Sequence, residues 1–329
     1  MAVPGLRQRD INGNVILDTR YDAINRVFDT RTLDGNAGSL TDARFAAGQP
    51  FAAIVPYSNL TTTTPPVFSF SGTTMSWTSG LPVSVMYGVG AGVSTYNTPR
   101  TGQAGFTFKN NDGTAVVLDH TMFALQLIGK GTVTSSASGA ATVDVYCPDG
   151  RVPVVAIRNQ GNYATYLAGV SMVNGTTCRI TFGPLVPTSI EWFAFGRVYK
   201  GLSDSVGRRW YDSGGTLMGD TSVPMMRIVR ANLGFTMYPG QTADFSEAGR
   251  KIAVVLNEPG FYQYKNAASG SGGNTTGAVL QLYRAGVTSL NDSSFRMSTV
   301  SIYSVSAGGT NEIRVGVNAK LSTIDVTNF

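Results

Sequence analysis

His120 is the only histidine in a chain of 329 residues, and acid–base chemistry near neutral pH normally draws on His or on carboxylates with displaced pKa values. It directly follows Asp119 and has no recurring partner, so it reads as a surface or strand-end imidazole. Asp18 and Asp220 occupy equivalent places and invite comparison with a glycosidase, which needs two carboxylates several ångströms apart. They belong to different copies of a repeated segment, however, so the better expectation is a structural role such as bonding turn amides. No Gly-x-Ser-x-Gly elbow supplies a serine nucleophile. No Asp-x-Asp-x-Asp-Gly run with a closing Glu supports calcium, and a single His excludes the common zinc ligand sets. Gly88-Val-Gly-Ala-Gly92 resembles a nucleotide loop only in its glycines; without helix-forming residues behind it, it reads as a closely packed strand. Cys147 and Cys178 lack Cys-x-x-Cys spacing and read as buried free thiols, with a disulfide as the alternative. The expectation is a non-enzymatic protein with no catalytic residue, cofactor or metal.

One segment suits recognition. Glu258-Pro-Gly-Phe261-Tyr262-Gln-Tyr264-Lys265 leads into a Gly/Ser/Asn run containing Asn274. Tyrosines beside adaptable small polar residues suit glycan or protein contacts. Phe261, Tyr262, Tyr264, Lys265 and Asn274 are therefore candidate contact residues, set against the plainer alternative of a long hairpin tip with half-buried aromatics. Trp210-Tyr211 is a lesser candidate of the same kind.

The elements that must carry these residues are strands. Hydrophobic residues make up 42% of the chain and charged residues only 14%, so Ser, Thr, Asn and Gly must keep the surface wet. The 39 glycines and 14 prolines fit many short strands and turns. Between Arg44 and Arg100 there is no charged residue, yet prolines and a threonine run interrupt the stretch, so no membrane-spanning helix is expected. No signal peptide is visible at Met1–Arg7. A net charge of +5 is spread without a basic stripe, which argues against nucleic acid as a partner.

Internal similarity organises the chain. Gly5, Arg7, Asp10, Gly13, Asp18 and Thr19 recur in order as Gly207, Arg209, Asp212, Gly215, Asp220 and Thr221. Between them, Gly105, Asn110 and Gly113 repeat the pattern with Asn for Asp. Asp10–Gly13, Asn110–Gly113 and Asp212–Gly215 each supply an Asx side chain and a glycine, the chemistry of a hairpin turn. Further landmarks recur: Ala47-Gly48 before Phe51–Val55 resembles Ala248-Gly249 before Ile252–Leu256, and Phe70–Trp77 resembles Val173–Ile180. Val85–Gly92 resembles Ser301–Gly308. Ala52–Val55, Val154–Ile157 and Ile252–Leu256 are short apolar runs expected to be buried on both faces. Phe68–Trp77 predicts a hairpin with Gly72 at its tip, and Thr132–Tyr146 another about Ser138-Gly139. No apolar pattern of helical period persists for three turns. The expected fold is all-β: three tandem β-sandwich-like (immunoglobulin-like) units, residues 1–100, 101–203 and 204–329, each with its own core.

The Gly5–Asp18 and Gly207–Asp220 patterns, with the Phe70–Trp77 hairpin followed by Tyr87-Gly88, resemble minor tail and tail-tip proteins of siphophages and related prophages. That resemblance implies a virion protein near the tail tip or tail fibre, assembled in the bacterial cytoplasm and docking to other tail proteins. It further suggests contact with a host-surface glycan or protein, and a homotrimer by analogy. The alternatives it leaves open are a receptor- or glycan-binding tail protein and, below that, a polysaccharide-degrading tail enzyme.

Overall fold

The computed structural model describes residues 7–9, 15–18, 26–54, 65–90, 107–109, 116–119, 123–135, 140–184, 187–199, 209–211, 214–266, 278–307, 313–327 and 329. Among them no α-helix occurs; one 3-10 turn, Ala43–Ala47, is capped by the Asp42 carboxylate, which accepts from the Arg44 amide at 2.9 Å. Everything else regular is strand, and the pairings are antiparallel, as short β-branched and alternating runs favour. Three small hairpins and four larger sheets result.

The same six-strand pairing scheme recurs along the chain. Arg26–Leu33, Val83–Val89 and Pro50–Ile54 lie side by side in one sheet, while Gly38–Thr41, Thr74–Trp77 and Phe68–Ser71 do so in another. Further on, Gln126–Thr134, Ser189–Gly196 and Val154–Asn159 repeat the first set, and Ala141–Tyr146, Thr177–Pro184 and Thr165–Asn174 the second. Last, Ile228–Phe235, Ala319–Asp325 and Ile252–Glu258 answer to the first set, and Thr242–Ser246, Ser294–Ala307 and Ala278–Ser289 to the second. Equivalent amides make equivalent bonds: Asp42 N to Thr73 O at 2.9 Å, Cys147 N to Thr176 O at 2.7 Å, and Glu247 N to Ser293 O at 2.8 Å. The cross-strand ion pair Asp144–Arg179, at 2.8 Å, reappears as Asp244–Arg296 at 2.7 Å, where the first copy pairs Ser39 with Ser76.

The copies do not keep separate cores, contrary to expectation. Val154–Asn159 pairs with Ile252–Glu258 through Ala156↔Val255 and Ile157↔Val254, and Thr165 pairs with Val287. The second and third copies thus join edge to edge into a continuous six-stranded sheet and a continuous eight-stranded one. Phe123–Ala124 crosses back to extend the first copy's sheet at Arg26–Leu33. The physical reason lies in the apolar runs. Val154–Asn159 is buried at every position, so both faces need a layer and both edges a partner. Val155, Ile157, Trp192 and Val254 face one core, against the eight-stranded sheet; Val154, Ala156, Phe193 and Val255 face the other, with Val27, Phe51 and Val85 of the first copy. The three- and four-stranded sheets thus share one core with a face of the six-stranded sheet, whose other face packs on the eight-stranded one. The three- and four-stranded sheets are joined by the Phe28, Phe45, Phe70 and Tyr87 rings, with neighbouring centroids 5.5 to 6.5 Å apart.

Two local expectations also change. Thr132–Tyr146 is not a hairpin: Gln126–Thr134 pairs with Ser189–Gly196 in one sheet, and Ala141–Tyr146 with Thr177–Pro184 in the other. Alternation specifies a half-buried strand but not its partner, and each segment found a longer one elsewhere. Ser301–Gly308 is not the counterpart of Val85–Gly92 either. Ser301–Ala307 ends the strand Ser294–Ala307, whereas Ala319–Asp325 holds the position equivalent to Val83–Val89. By contrast Phe68–Trp77 forms the expected hairpin, with Gly72 at φ 56°, and Thr165–Asn174 with Thr177–Pro184 is its counterpart.

Candidate functional site

The small hairpins open each copy as expected: Arg7–Arg9 with Val15–Asp18, Thr107–Lys109 with Val116–Asp119, and Arg209–Tyr211 with Leu217–Asp220. Of the turn residues, Asp10, Gly13, Asn110, Gly113 and Asp212 lie outside the described residues, as does His120. Gly215 sits at φ 78°, the left-handed region its glycine permits. Asp18 stands opposite Arg7, and Asp220 opposite Arg209, in matching registers.

Asp220 is fully buried, and its surroundings are those of a structural carboxylate. Arg209 Nε donates to it at 2.6 Å, and the Ser222 amide and hydroxyl donate at 2.8 and 2.7 Å. Burial works to raise its pKa, but those bonds outweigh it and hold the carboxyl below the usual range. The Gln126 side chain completes the joint: its Oε1 accepts from the Asp220 amide at 2.8 Å, and its Nε2 donates to the carbonyls of Asp220 and Val223. Cys147 and Cys178 are buried free thiols. A hydrogen bond to Cys147, then burial, pushes the Cys178 thiol up. Among the described residues no group of three or more His, Cys, Asp or Glu side chains is placed to hold a metal.

The recognition segment takes a different form from the one expected. Phe261–Asn266 is a strand, paired on one side with Ala278–Ser289 and on the other with Ile313–Val317. Phe261 is 1% exposed and Tyr262 6%, so both are buried strand residues. Lys265 stands in register with Leu280 and Ile313, while Asn274 lies outside the described residues. Trp210 is buried as well, with its ring against Gly219, where a Cβ would come within 1.9 Å of it. The aromatics that introduce the Gly/Ser/Asn run alternate along a strand: Tyr262 and Tyr264, two residues apart, share one face.

On that face a cluster forms. Tyr262 and Tyr264 stand opposite Tyr283 and Gln281. The Tyr262 ring lies 6.1 Å from Tyr283 and 5.6 Å from Tyr238, both at 62°. Tyr283 Oη donates to Gln281 Oε1 at 2.6 Å. Burial, then the neighbouring Tyr264 phenol, raises the Tyr283 pKa. Tyr264, Gln281 and Tyr283 are half-buried, and Tyr238 is 52% exposed. Its carbonyl accepts from the Gln241 amide at 3.0 Å and the Thr299 hydroxyl at 2.9 Å, in a turn where Gly240 adopts φ 78°. Sequence reasoning missed Tyr238 and Tyr283, because Tyr283 joins the cluster only through the register of Ala278–Ser289 with Phe261–Asn266, and Tyr238 only through a ring contact from a distant turn. The arrangement gathers four tyrosine rings and one amide side chain.

Comparison of the chain with protein-family models, with curated proteins and with solved structures gave no match. The class the coordinates define is an all-β protein of packed antiparallel sheets.

Proposed function

We propose that the chain is a structural protein of a bacteriophage tail, at the tail tip or fibre region. In this assignment three tandem immunoglobulin-like units, 1–100, 101–203 and 204–329, make a stiff body that docks to other tail proteins and to further copies of itself. The observation that carries it is the recurrent six-strand scheme joined through shared sheets. Repetition of one scheme, bonded edge to edge and face to face, builds rigidity and surface rather than a reaction centre. The hairpin patterns at Gly5–Asp18 and Gly207–Asp220 support the tail assignment by their likeness to minor tail proteins. A second role, contact with a host-surface glycan, is favoured by the tyrosine cluster around Tyr238.

The test is direct. Antibody raised against the purified chain should label one end of the tail in negative-stain images of particles from the producing strain. Light scattering of the purified chain reports whether it trimerises. Particles that carry no label, from a strain that expresses the chain, would overturn the assignment.

A further inference from the structure

We infer that Tyr238, Tyr262, Tyr264, Tyr283 and Gln281 form a shallow platform for a pyranose ring of a neutral glycan. This deepens the host-contact role proposed above, on which the bacterial origin of the glycan rests; the platform itself rests on geometry alone. Three observations converge on it. The strand Phe261–Asn266 has no counterpart in the second copy, where Val154–Asn159 leads through described residues straight to Thr165–Asn174, so the surface it builds with Ile313–Val317 is an addition to that copy's scheme. Insertions on one member of a repeat are where binding surfaces tend to arise. The rings meet at steep angles and step from buried to exposed, from Tyr262 at 6% to Tyr238 at 52%, so Tyr238 reaches solvent while resting on a buried aromatic neighbour. And the exposed member is held in place: its carbonyl accepts from Gln241 and Thr299, the Met237 amide donates to Asn318 at 3.1 Å, and its ring packs on Tyr262. A rigid tyrosine loses little freedom on binding.

The chemistry selects the ligand class. A pyranose presents an apolar face of axial C–H bonds, which suits the Tyr238 ring, and a rim of hydroxyls, which suits the Tyr238 phenol and the Gln281 amide nitrogen. A single amide among aromatic rings also fits the usual composition of small-molecule sites, mostly apolar with a few polar groups. A buried peptide anchor would need a deep apolar pocket, whereas Tyr238 stands proud of the surface.

Saturation-transfer NMR on the full chain tests this, with glucose, galactose, rhamnose and N-acetylglucosamine and their short oligosaccharides as probes. Ring C–H protons of at least one probe should receive saturation. Tyr238→Ala should weaken that probe by at least about tenfold, as truncation of an aromatic anchor does. Tyr238→Phe should keep it, as should Tyr163→Ala, which removes an exposed tyrosine elsewhere. Thermal melting of each variant separates lost binding from lost folding. Silence from every probe, or unchanged binding by a folded Tyr238→Ala, overturns the platform. Tail labelling with silent spectra removes the sugar site alone; saturation in a chain absent from particles removes the tail assignment alone.

Discussion

Glu258 and Lys320 stand opposite each other on adjacent strands of the six-stranded sheet, 2.9 Å apart, and together they engage both main-chain polar groups of Phe68. The Phe68 amide donates to Glu258 Oε1 at 3.2 Å, and Lys320 Nζ donates to the Phe68 carbonyl. Phe68–Ser71 is an edge strand, and an open edge invites pairing with another chain. The third copy thus supplies, through two side chains, bonds to an edge that has no strand partner among the described residues. In the second and third copies the equivalent strands, Thr165–Asn174 and Ala278–Ser289, meet each other instead. Asn232 acts likewise at Pro50–Ile54, donating to the Pro50 carbonyl at 2.7 Å.

Lys320→Met should therefore be strongly destabilising. It leaves Glu258, 3% exposed, without its cation, and the Phe68 carbonyl without its donor. Breaking one side of a buried pair costs roughly 3–5 kcal/mol, whereas replacing both partners can be nearly neutral. Urea denaturation should find Lys320→Met much less stable than Glu258→Gln/Lys320→Met. Equal losses in the two would mean that the pair does not act as a unit.

The same carboxylate gives a pH signature. Burial raises the Glu258 pKa above its ordinary value, against the pull of Lys320 and the Phe68 amide, and its Oε2 is buried with no hydrogen-bond partner. A carboxyl raised in the folded state contributes stability that is complete below the unfolded pKa, about 4.3, and is lost as pH rises through the folded value. Asp220 has the opposite sign: its folded pKa is lowered, so its contribution is present above the unfolded value and disappears as pH falls through the folded one. Melting temperatures across acidic to neutral pH should show wild type losing ground to Glu258→Gln as pH rises above about 4.3. Against Asp220→Asn, wild type should gain as pH rises through the region below about 3.9. Parallel curves in either comparison would remove the corresponding assignment.

Gly219 should tolerate no side chain. A Cβ there would lie 1.9 Å from Trp210, in a hairpin whose Trp210 and Met218 are both buried in the core. Overpacking of this kind costs about 1–3 kcal/mol. Gly219→Ala should lower the melting temperature, and Gly219→Ala with Trp210→Phe should recover part of the loss. Absence of any recovery would place the strain elsewhere.

How much of this was legible in the residues follows from what a local pattern can encode. Period-two runs and Gly-punctuated turns predict strands, and the hairpins at Arg7–Asp18, Arg209–Asp220 and Phe68–Trp77 follow from them. Partner choice between distant strands does not. Thr132–Tyr146 alternates as a hairpin should, yet its halves lie in different sheets, because either face of an alternating strand can join any sheet that covers it. The burial of Val154–Asn159 was readable from Val-Val-Ala-Ile, but not the edge contact with Ile252–Glu258. The tyrosine cluster was half readable: Tyr262 and Tyr264 share a face by spacing, whereas Tyr238 and Tyr283 arrive only through the tertiary fold.

Shared sheets carry one more consequence, for fragments. If each copy held a core of its own, residues 101–203 would fold alone. Instead Val154–Asn159 takes an edge partner from Ile252–Glu258, and its Val154 and Ala156 face a core completed by the first copy. Cut free, that segment would expose a long unpaired edge and an apolar face, the combination that drives strand-to-strand aggregation. Fragment 101–203 should therefore be insoluble or lack a cooperative melt, while the full chain should unfold in a transition shared by probes in all three copies. Fragment 101–329 restores the edge partner and should regain cooperativity, at lower stability than the full chain because the first copy's layer is missing. A soluble 101–203 that melts cooperatively would mean that the contacts between copies merely join finished domains, and that the shared sheets are not what holds the middle of the chain together.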